Sequence, residues 1–402
     1  MITNKKGADP HGPRARTLAA VYRAFGEDDG TSPLYRRIAL ALSASDEALR
    51  AIEQAPVRRR QPALILAALH DLALSGQAPE LAEIYTAPVG HVAPDHDDPD
   101  DPDDHVRPTP ESHPRQPDPA AVAVGTLLRQ SAAVAAIAAA RRVRTLQTAR
   151  CAVLYPAAAE AAHRAGATAV ALIDMDCSTG LNLQVDQCGI AYDNGQVRGD
   201  TLSPVQLSAR IVGDRPLPER AFPEVVTRIG IDPDPLDLSA GARPGTGSHT
   251  GIDARSDPDD ARWLHACLAP DRPGQAADLR AQLTLAARTK PHLLRGEALD
   301  LLPDALAQVP TGVLPIVTTT WALSRHRPEK RRRFRQLLEE AGRPVAWVSA
   351  EGVGVAPGIP TFGDRPASGH SIVGLALFGS SPHSEALGRC WSRGRLLSWT
   401  AG

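Results

Sequence analysis

Five short apolar segments, spaced along the chain from residue 168 onward, constrain the fold more than any other feature. They cover residues 168–173, 225–231, 292–294, 314–317 and 345–349, and helical patterns lie between them. Short, mostly apolar runs of this kind are typical of strands that are buried on both faces. Because strands that alternate with helices form parallel sheets, the pattern predicts an α/β fold.

Two later apolar segments, 372–378 and 395–399, have the pattern of an antiparallel pair of strands. A parallel sheet that ends in an antiparallel hairpin resembles the layout of many class I methyltransferases. We therefore predict a methyltransferase-like Rossmann sheet of about seven strands.

The other patterned segments predict helices. Residues 15–85, 120–140 and 141–165 have helical periodicity, and a break is expected at Pro156 because proline lacks the N–H that a helix interior needs. The predicted domains are a helical N-terminal region at 1–85, an acidic loop at 86–119 and a Rossmann-like domain at 120–402.

The acidic loop differs from the rest of the chain in composition. Asp and Pro dominate residues 95–104, histidines lie nearby, and prolines continue to Pro119. Such a segment cannot bury enough apolar surface to offset its loss of conformational entropy, so a disordered, solvated loop is predicted. The alternative is a cation-binding loop, although the segment lacks the glycine and the terminal glutamate of an EF-hand.

The composition excludes several classes of partner. The formal net charge is −2 and aromatic residues make up 4%, so neither nucleic acid nor an anionic membrane is an expected partner. No apolar stretch is long enough to span a bilayer, and residues 1–16 lack the apolar core of a signal peptide. The five cysteines form no C-x-x-C pair, which favours a cytoplasmic protein.

The segment 172–183 carries the strongest indication of a site. An apolar strand leads through Asp174, Asp176 and Ser178 into a turn of small residues and then towards a helix. Ligands of doubly wound folds bind at such a turn, because it lies at the carboxyl end of a central strand and precedes the free N–H groups of a helix. Gly180 is the only glycine in the turn, so the segment does not match the dinucleotide fingerprint.

This segment is similar to the central motif of the actinobacterial domain-of-unknown-function family 2332, which runs Glu-x-Gly-x-Ser-Ala-Gly-Leu-Asn-Leu and is followed by an Asp. The matching residues here are Asp174, Ser178, Gly180, Asn182 and Asp186. Further blocks match at 228–232, 263–267, 296–298 and 347–351. The resemblance covers nearly the whole chain and implies a helical N-terminal part followed by a class I methyltransferase-like Rossmann domain.

The resemblance also implies a site for S-adenosylmethionine across the carboxyl ends of the first three strands. Asp174 would hold the methionine ammonium group or order the turn, Asp232 would accept hydrogen bonds from the ribose hydroxyls, and Glu297 would lie near the adenine. The alternative for each carboxylate is a cap on a helix or a loop. The implied cofactor-binding residues are Asp174, Ser178, Gly180, Asn182, Asp232 and Glu297.

Asp176 stands where the family motif has its middle glycine, and three interpretations are open. Its side chain caps the next helix, acts as an acid or base in a rebuilt site, or joins Asp174 and Asp186 around a divalent metal. No histidine lies in this run, so no metal site is predicted. If Asp174 and Asp176 both face the pocket, their repulsion should raise the pKa of one of them.

Three other residues are candidates for chemistry. Arg150 either clamps a carboxylate or forms a structural ion pair. Glu351, after the fifth apolar segment, and His326, after the fourth, are candidates for proton transfer. The candidate catalytic residues are Asp176, Arg150, Asp186 and Glu351.

These observations predict an enzyme that acts on a small molecule, in the first instance by methyl transfer from S-adenosylmethionine. Methyl transfer asks little of a protein beyond in-line positioning and the exclusion of water. If Asp176 marks a rebuilt site, the alternative is acid–base chemistry such as cyclisation, elimination or isomerisation. A non-catalytic scaffold is the third alternative, because a fold by itself does not determine an activity.

Overall fold

The computed structural model describes residues 17–86, 117–144, 148–236, 238, 259–286 and 288–401, in two compact units. The helical unit comprises residues 1–144 and 262–276, and the sheet unit comprises residues 145–261 and 277–402. Residues 87–116, which make up nearly all of the predicted acidic loop, lie outside the described residues.

The helical unit contains the helices predicted for residues 15–85. Serine residues begin two of them, since the hydroxyls of Ser32 and Ser45 accept hydrogen bonds from N–H groups three residues further on. The fourth helix is apolar on nearly every side and is buried from Leu64 to Ala73. The helices are α1 (Leu18–Glu27), α2 (Pro33–Ala44), α3 (Asp46–Ile52), α4 (Pro62–Leu74), α5 (Pro79–Thr86), α6 (Pro119–Arg129), α7 (Ser131–Ala140) and most of α9 (Asp259–Ala266).

Helices α6 and α7 belong to the helical unit, whereas residues 120–140 are predicted from the sequence pattern to belong to the Rossmann-like domain. Both helices pack against α3 and α4, and their residues Leu127, Val134 and Ala138 join the core of that unit. The boundary therefore follows the apolar surface that these helices bury. Within the described ranges, no single helix is long and apolar enough to cross a membrane; α6 and α7 reach that length only together, across a bend of 85°.

The sheet unit is built on one large sheet. Its strands are β1 (Ala169–Met175), β2 (Gly189–Tyr192), β3 (Val197–Gly199), β4 (Gln206–Ile211), β5 (Glu224–Asp232), β6 (His292–Arg295), β7 (Leu314–Thr320), β8 (Val345–Gly352), β9 (Ser371–Phe378), β10 (His383–Trp391) and β11 (Leu396–Trp399). The described strands lie in the order β3-β2-β4-β11-β10-β9-β8-β7-β1-β5-β6. The five predicted apolar segments form β1, β5, β6, β7 and β8, which are parallel to one another. The predicted mixed α/β fold with a largely parallel sheet is confirmed.

Two details of the predicted sheet are wrong. The described part of the sheet has 11 strands instead of about seven. The segments 372–378 and 395–399 are not partners, because β10 lies between them and pairs antiparallel with both β9 and β11. The sequence pattern does not reveal β10 because polar residues such as Glu385 and Arg389 interrupt it, and it does not reveal β2–β4 because these strands are short and partly exposed.

Helix α8 (Cys151–Arg164) is the central helix of the sheet unit, and every residue from Cys151 to Ala162 is buried. The break predicted at Pro156 is absent. The carbonyl of Ala152 would normally accept a hydrogen bond from the N–H of residue 156, which proline lacks. That carbonyl accepts a hydrogen bond from the Tyr192 hydroxyl at 2.7 Å. A side chain from β2 thus satisfies the group that Pro156 leaves free, and the helix continues.

Alternate residues of β1 face opposite sides of the sheet. Val170 and Leu172 pack with α8, whereas Ala171 and Ile173 pack on the side of α11 (Ala298–Ala307) and α12 (Pro328–Glu339). Helix α10 (Pro273–Ala286) contributes Leu285 to the core on the α8 side. By this alternation Asp174 faces the α8 side, towards Arg150, which directly precedes that helix.

Candidate functional site

The candidate site lies at the carboxyl edge of the sheet, between β1 and β7. Numbered along the chain, the five parallel strands have the spatial order 3-2-1-4-5. The strand order reverses direction at β1, and the crevice beside such a reversal is the usual ligand site of a doubly wound sheet. The turn 175–180 and the segment 321–326 border this crevice, because they directly follow β1 and β7.

The turn after β1 has an unusual backbone. Asp176, Ser178 and Gly180 have φ values of 54°, 57° and 69°, so every second residue is left-handed. This conformation costs about 1–2 kcal/mol for a residue with a side chain, although aspartate tolerates it better than most. The turn lies close against β5, since a Cβ added at Gly230 would come within 2.6 Å of the Cys177 Sγ. Two of the three left-handed positions therefore carry side chains, and only Gly180 adopts this conformation without strain.

Strain is concentrated along this edge of the sheet. Every described non-glycine residue with positive φ lies in a segment that follows β1, β7, β8 or β10. These four strands end at the same edge, because β9 is antiparallel to both β8 and β10. Strained residues persist where the surrounding structure holds them, and they cluster at functional sites. The residues are Asp176, Ser178, Trp321, Phe362, Ser392 and Arg393.

Asp174 is buried at the centre of a hydrogen-bond network. Its Oδ1 accepts a hydrogen bond from the Thr318 hydroxyl at 2.7 Å, and its Oδ2 accepts one from the Asn182 amide at 3.1 Å. Burial raises its pKa to about 6, while the hydrogen bonds and the charge of Arg150 oppose the rise. Only 1% of Asp174 is exposed. The carboxylate therefore joins β1 to β7 and to the 3₁₀ helix Leu181–Gln187 that follows the turn.

Arg150 meets the same network from the α8 side. Its Nη1 donates to the Thr320 hydroxyl at 2.9 Å, and its guanidinium lies over the Trp321 ring, 5.2 Å from the centroid. Burial lowers its pKa to about 10, and the positive charges of Arg393 and Arg325 contribute. The positive charges of Arg150, Arg325 and Arg393 therefore act on one another, and such a cluster favours binding of an anionic group of a ligand.

Asp176 and His326 face each other across the crevice. The Asp176 Oδ2 and the His326 Nε2 are 3.9 Å apart, and their side chains are 11% and 17% exposed. The pKa of Asp176 is raised by burial, although the charges of Arg325 and His326 oppose the rise. The predicted repulsion between Asp174 and Asp176 contributes to the raised pKa of Asp174, but burial has the larger effect.

Asp232 supports the turn from the end of β5. Its Oδ2 accepts a hydrogen bond from the Ser178 N–H at 2.9 Å, and its Oδ1 accepts one from the Asp234 N–H at 2.8 Å. Glu297 lies at the same edge, directly before α11, and its exposed carboxylate is 3.8 Å from the Lys330 Nζ. Asp232 thus stabilises the turn through its hydrogen bond with the Ser178 N–H, and any contact with a ligand would be additional.

Asp186 does not belong to this cluster. Both of its carboxylate oxygens accept hydrogen bonds from the Arg228 guanidinium, at 2.6 and 2.7 Å, and Arg228 also donates to the Leu183 carbonyl. This bidentate pair ties the 3₁₀ helix Leu181–Gln187 to β5. Asp186 has a structural role, because its charge is matched by Arg228, and its part in catalysis stays a prediction.

Glu351, one of the predicted catalytic residues, supports the segment that follows β7. It is fully buried, and its Oε1 accepts hydrogen bonds from the N–H groups of Ala322 and Leu323, both at 3.0 Å. The Oε2 has no hydrogen-bond partner among the described residues. Burial raises the pKa of Glu351 to about 7, and the N–H groups oppose the rise. Glu351 therefore positions the segment that carries Arg325 and His326.

Four residues of the site are not among those predicted from the sequence: Thr318, Thr320, Trp321 and Arg325. The run of three threonines after the fourth apolar segment is the signal for the first two. Alternation along β7 places Thr318 and Thr320 on the side of Asp174, and Thr319 on the opposite side, where it accepts a hydrogen bond from the Trp347 indole. Trp321 and Arg325 have no local signal.

Among the described residues, no three His, Cys, Asp or Glu side chains are placed to hold a metal ion.

Comparison with known proteins identifies a family but no activity. No curated protein and no solved structure matches the chain. A family model described as "Uncharacterized protein conserved in bacteria (DUF2332)" matches residues 19–244 and 247–399. The chain therefore belongs to this family of uncharacterized bacterial proteins.

Proposed function

We propose that the sheet unit binds S-adenosylmethionine at the turn after β1 and transfers its methyl group to a small molecule. The observation that carries this proposal is the left-handed backbone at residues 176, 178 and 180, directly after the central strand of a 3-2-1-4-5 sheet. In a doubly wound sheet, the turn after this strand is where a ligand approaches the backbone. The class I methyltransferase-like topology is part of the same proposal.

The acids at the edge fit the polar groups of this cofactor. Asp232 ends the neighbouring strand β5 at this edge, and its carboxylate is a hydrogen-bond acceptor of the kind that ribose hydroxyls need. Glu297, which follows β6, has an exposed carboxylate that would lie near the adenine. The guanidinium groups of Arg325 and Arg393 would meet the carboxylate of the methionine part.

The negative charge of Asp176 opposes binding of this cofactor. Its carboxylate would lie near the carboxylate of the cofactor, and like charges about 4 Å apart cost on the order of 1–4 kcal/mol in such a setting.

When bound, the cofactor supplies the electrophilic methyl group. His326, 3.9 Å from Asp176, would then accept the proton of the methyl acceptor, with Asp176 stabilising the imidazolium.

The same pair favours a second candidate function. Asp176 and His326 together provide an acid and a base at the crevice, and the raised pKa of Asp176 brings its titration closer to neutral pH. An enzyme that does not bind the cofactor could use Asp176 and His326 for cyclisation, elimination or isomerisation of a small molecule. This candidate explains why a carboxylate replaces a glycine in the turn.

Binding of S-adenosylmethionine to the full-length protein, measured by equilibrium dialysis, distinguishes the two candidates. We expect the wild type to bind it with micromolar affinity. Asp176→Gly should bind about tenfold more tightly, since it removes a charge and a strained side chain next to the ligand. Asp176→Asn should bind at least as tightly as the wild type.

The matched control is Asp214→Asn, which removes one negative charge from an exposed loop and should leave the affinity unchanged. Binding by Asp176→Gly but not by the wild type would favour the rebuilt acid–base site. Absence of binding by both the wild type and Asp176→Gly would contradict the cofactor proposal.

A further inference from the structure

A second concave surface of the sheet unit lies apart from the turn after β1. It is a groove of about 1070 Å³ between β2, β4, the segment 392–396 and the part of α10 from Ala277 to Gln282. Its volume is in the range of small-molecule sites, which are mostly apolar with a few polar groups that fix the orientation of the ligand. The functional site described above uses none of the side chains that line it.

The floor of the groove is apolar. Tyr192, Val205 and Ala209 line it and belong to the core that surrounds α8. The hydroxyl of Tyr192 is already engaged with the Ala152 carbonyl, so its ring is what it offers to the groove. Ala281 and Leu396 line the groove and are only partly buried. A ligand would therefore gain affinity mainly by burying apolar surface.

The charged residues around the groove are exposed and do not favour one sign of charge. Asp193 is engaged by Arg210, whose Nε is 3.3 Å from its carboxylate, and by the Ile211 N–H. Arg395 and Asp278 add one charge of each sign. The groove thus favours a ligand without net charge.

Gln282 is the polar side chain that stands out. It lines the groove, only 3% of it is exposed, and its Oε1 has no hydrogen-bond partner among the described residues. A buried amide oxygen without a donor is unfavourable. Rotation about the terminal bond of a glutamine side chain is easy, so the amide can turn to meet a donor without moving the helix.

We propose that this groove binds a small, uncharged and mostly apolar molecule that carries an N–H or O–H donor, and that this donor bonds to the Gln282 side chain. The groove reaches Ala149 and Ser392, the chain neighbours of Arg150 and Arg393 in the candidate site. In the enzyme proposed above, the groove holds the methyl acceptor; this assignment alone rests on the proposed function.

The test compares two probes of the same shape, diphenylamine and diphenyl ether, of which only the first has a donor. Their binding to the full-length protein is measured by equilibrium dialysis without S-adenosylmethionine. Diphenylamine should saturate one site per chain and bind about tenfold more tightly than the ether, since one hydrogen bond to a buried acceptor is worth about that factor. Gln282→Leu should make the two affinities equal.

Two tryptophan variants of α10 locate the site. Ala277→Trp places an indole on an exposed lining position and should abolish binding, whereas Thr284→Trp, exposed on the same helix but outside the lining, should bind as the wild type does. Equal affinities of both probes for the wild type, no saturable binding, or full binding by Ala277→Trp would each overturn the proposal. Loss of S-adenosylmethionine binding would leave these results unchanged, so the two proposals fail separately.

Discussion

Replacement of Glu351 by alanine is expected to lower the free energy of unfolding by about 4 kcal/mol, because it leaves two buried N–H groups without an acceptor. These are the N–H groups of Ala322 and Leu323, which both donate to the Glu351 Oε1. Glu351→Gln keeps an oxygen in that position, so its loss at pH 5 should be below about 1 kcal/mol. Urea denaturation followed by circular dichroism measures both. Equal stability of the two variants would contradict the positioning role.

The same residue should make stability depend on pH. The pKa of Glu351 is about 7 in the folded protein and has an ordinary value of 4.5, so the folded state keeps a proton that the unfolded chain has already released. The stability that Glu351 contributes is therefore greatest below pH 4.5 and is lost as the pH rises from 4.5 to 7, by about 3 kcal/mol in all. Asp174 changes stability in the same direction, since its pKa is raised to about 6. The difference between wild type and Glu351→Gln isolates the contribution of Glu351, and a difference that does not vary with pH would contradict it.

Arg228→Met is expected to lower the free energy of unfolding by about 3–5 kcal/mol, since it leaves the Asp186 carboxylate largely buried without its counterion. The two side chains are 12% and 18% exposed, and two hydrogen bonds join them. The variant also releases the 3₁₀ helix Leu181–Gln187, which carries Asn182. We therefore expect ligand binding at the turn to be lost together with stability.

The matched control for Arg228→Met is Arg295→Met, which breaks the ion pair with Asp234. Those side chains are 37% and 39% exposed, so the change should cost less than about 1 kcal/mol. Adding Asp186→Asn to Arg228→Met should recover part of the lost stability, because it removes the unmatched charge. Equal melting temperatures for the two Arg→Met variants would show that the Arg228 pair contributes no more than a surface pair.

The local pattern of the sequence is sufficient to predict the parallel strands and the turn. A strand that is covered by helices on both faces is largely apolar, and this tendency is visible in one short segment at a time. The segment from Asp174 to Gly180 is predicted as a turn for a similar reason, since only small or turn-forming residues suit it. The 3-2-1-4-5 order then brings Asp174, Asp232 and the end of β7 to one edge, as the sequence pattern implies.

What the tertiary structure decides is which partner each polar group meets. Asp186 and Arg228 are 42 positions apart, and Ser178 and Asp232 are 54 apart, so no local pattern distinguishes a carboxylate that braces the fold from one that faces a ligand. Pro156 in α8 is a second example. Its missing N–H leaves the Ala152 carbonyl free, and that carbonyl accepts a hydrogen bond from the Tyr192 hydroxyl. Tyr192 lies on β2, which has no apolar pattern in the sequence. Strand and turn formation depend on neighbours along the chain, which the sequence displays. The roles of Asp186, Asp232 and Glu351 depend on neighbours in space, which only the folded structure supplies.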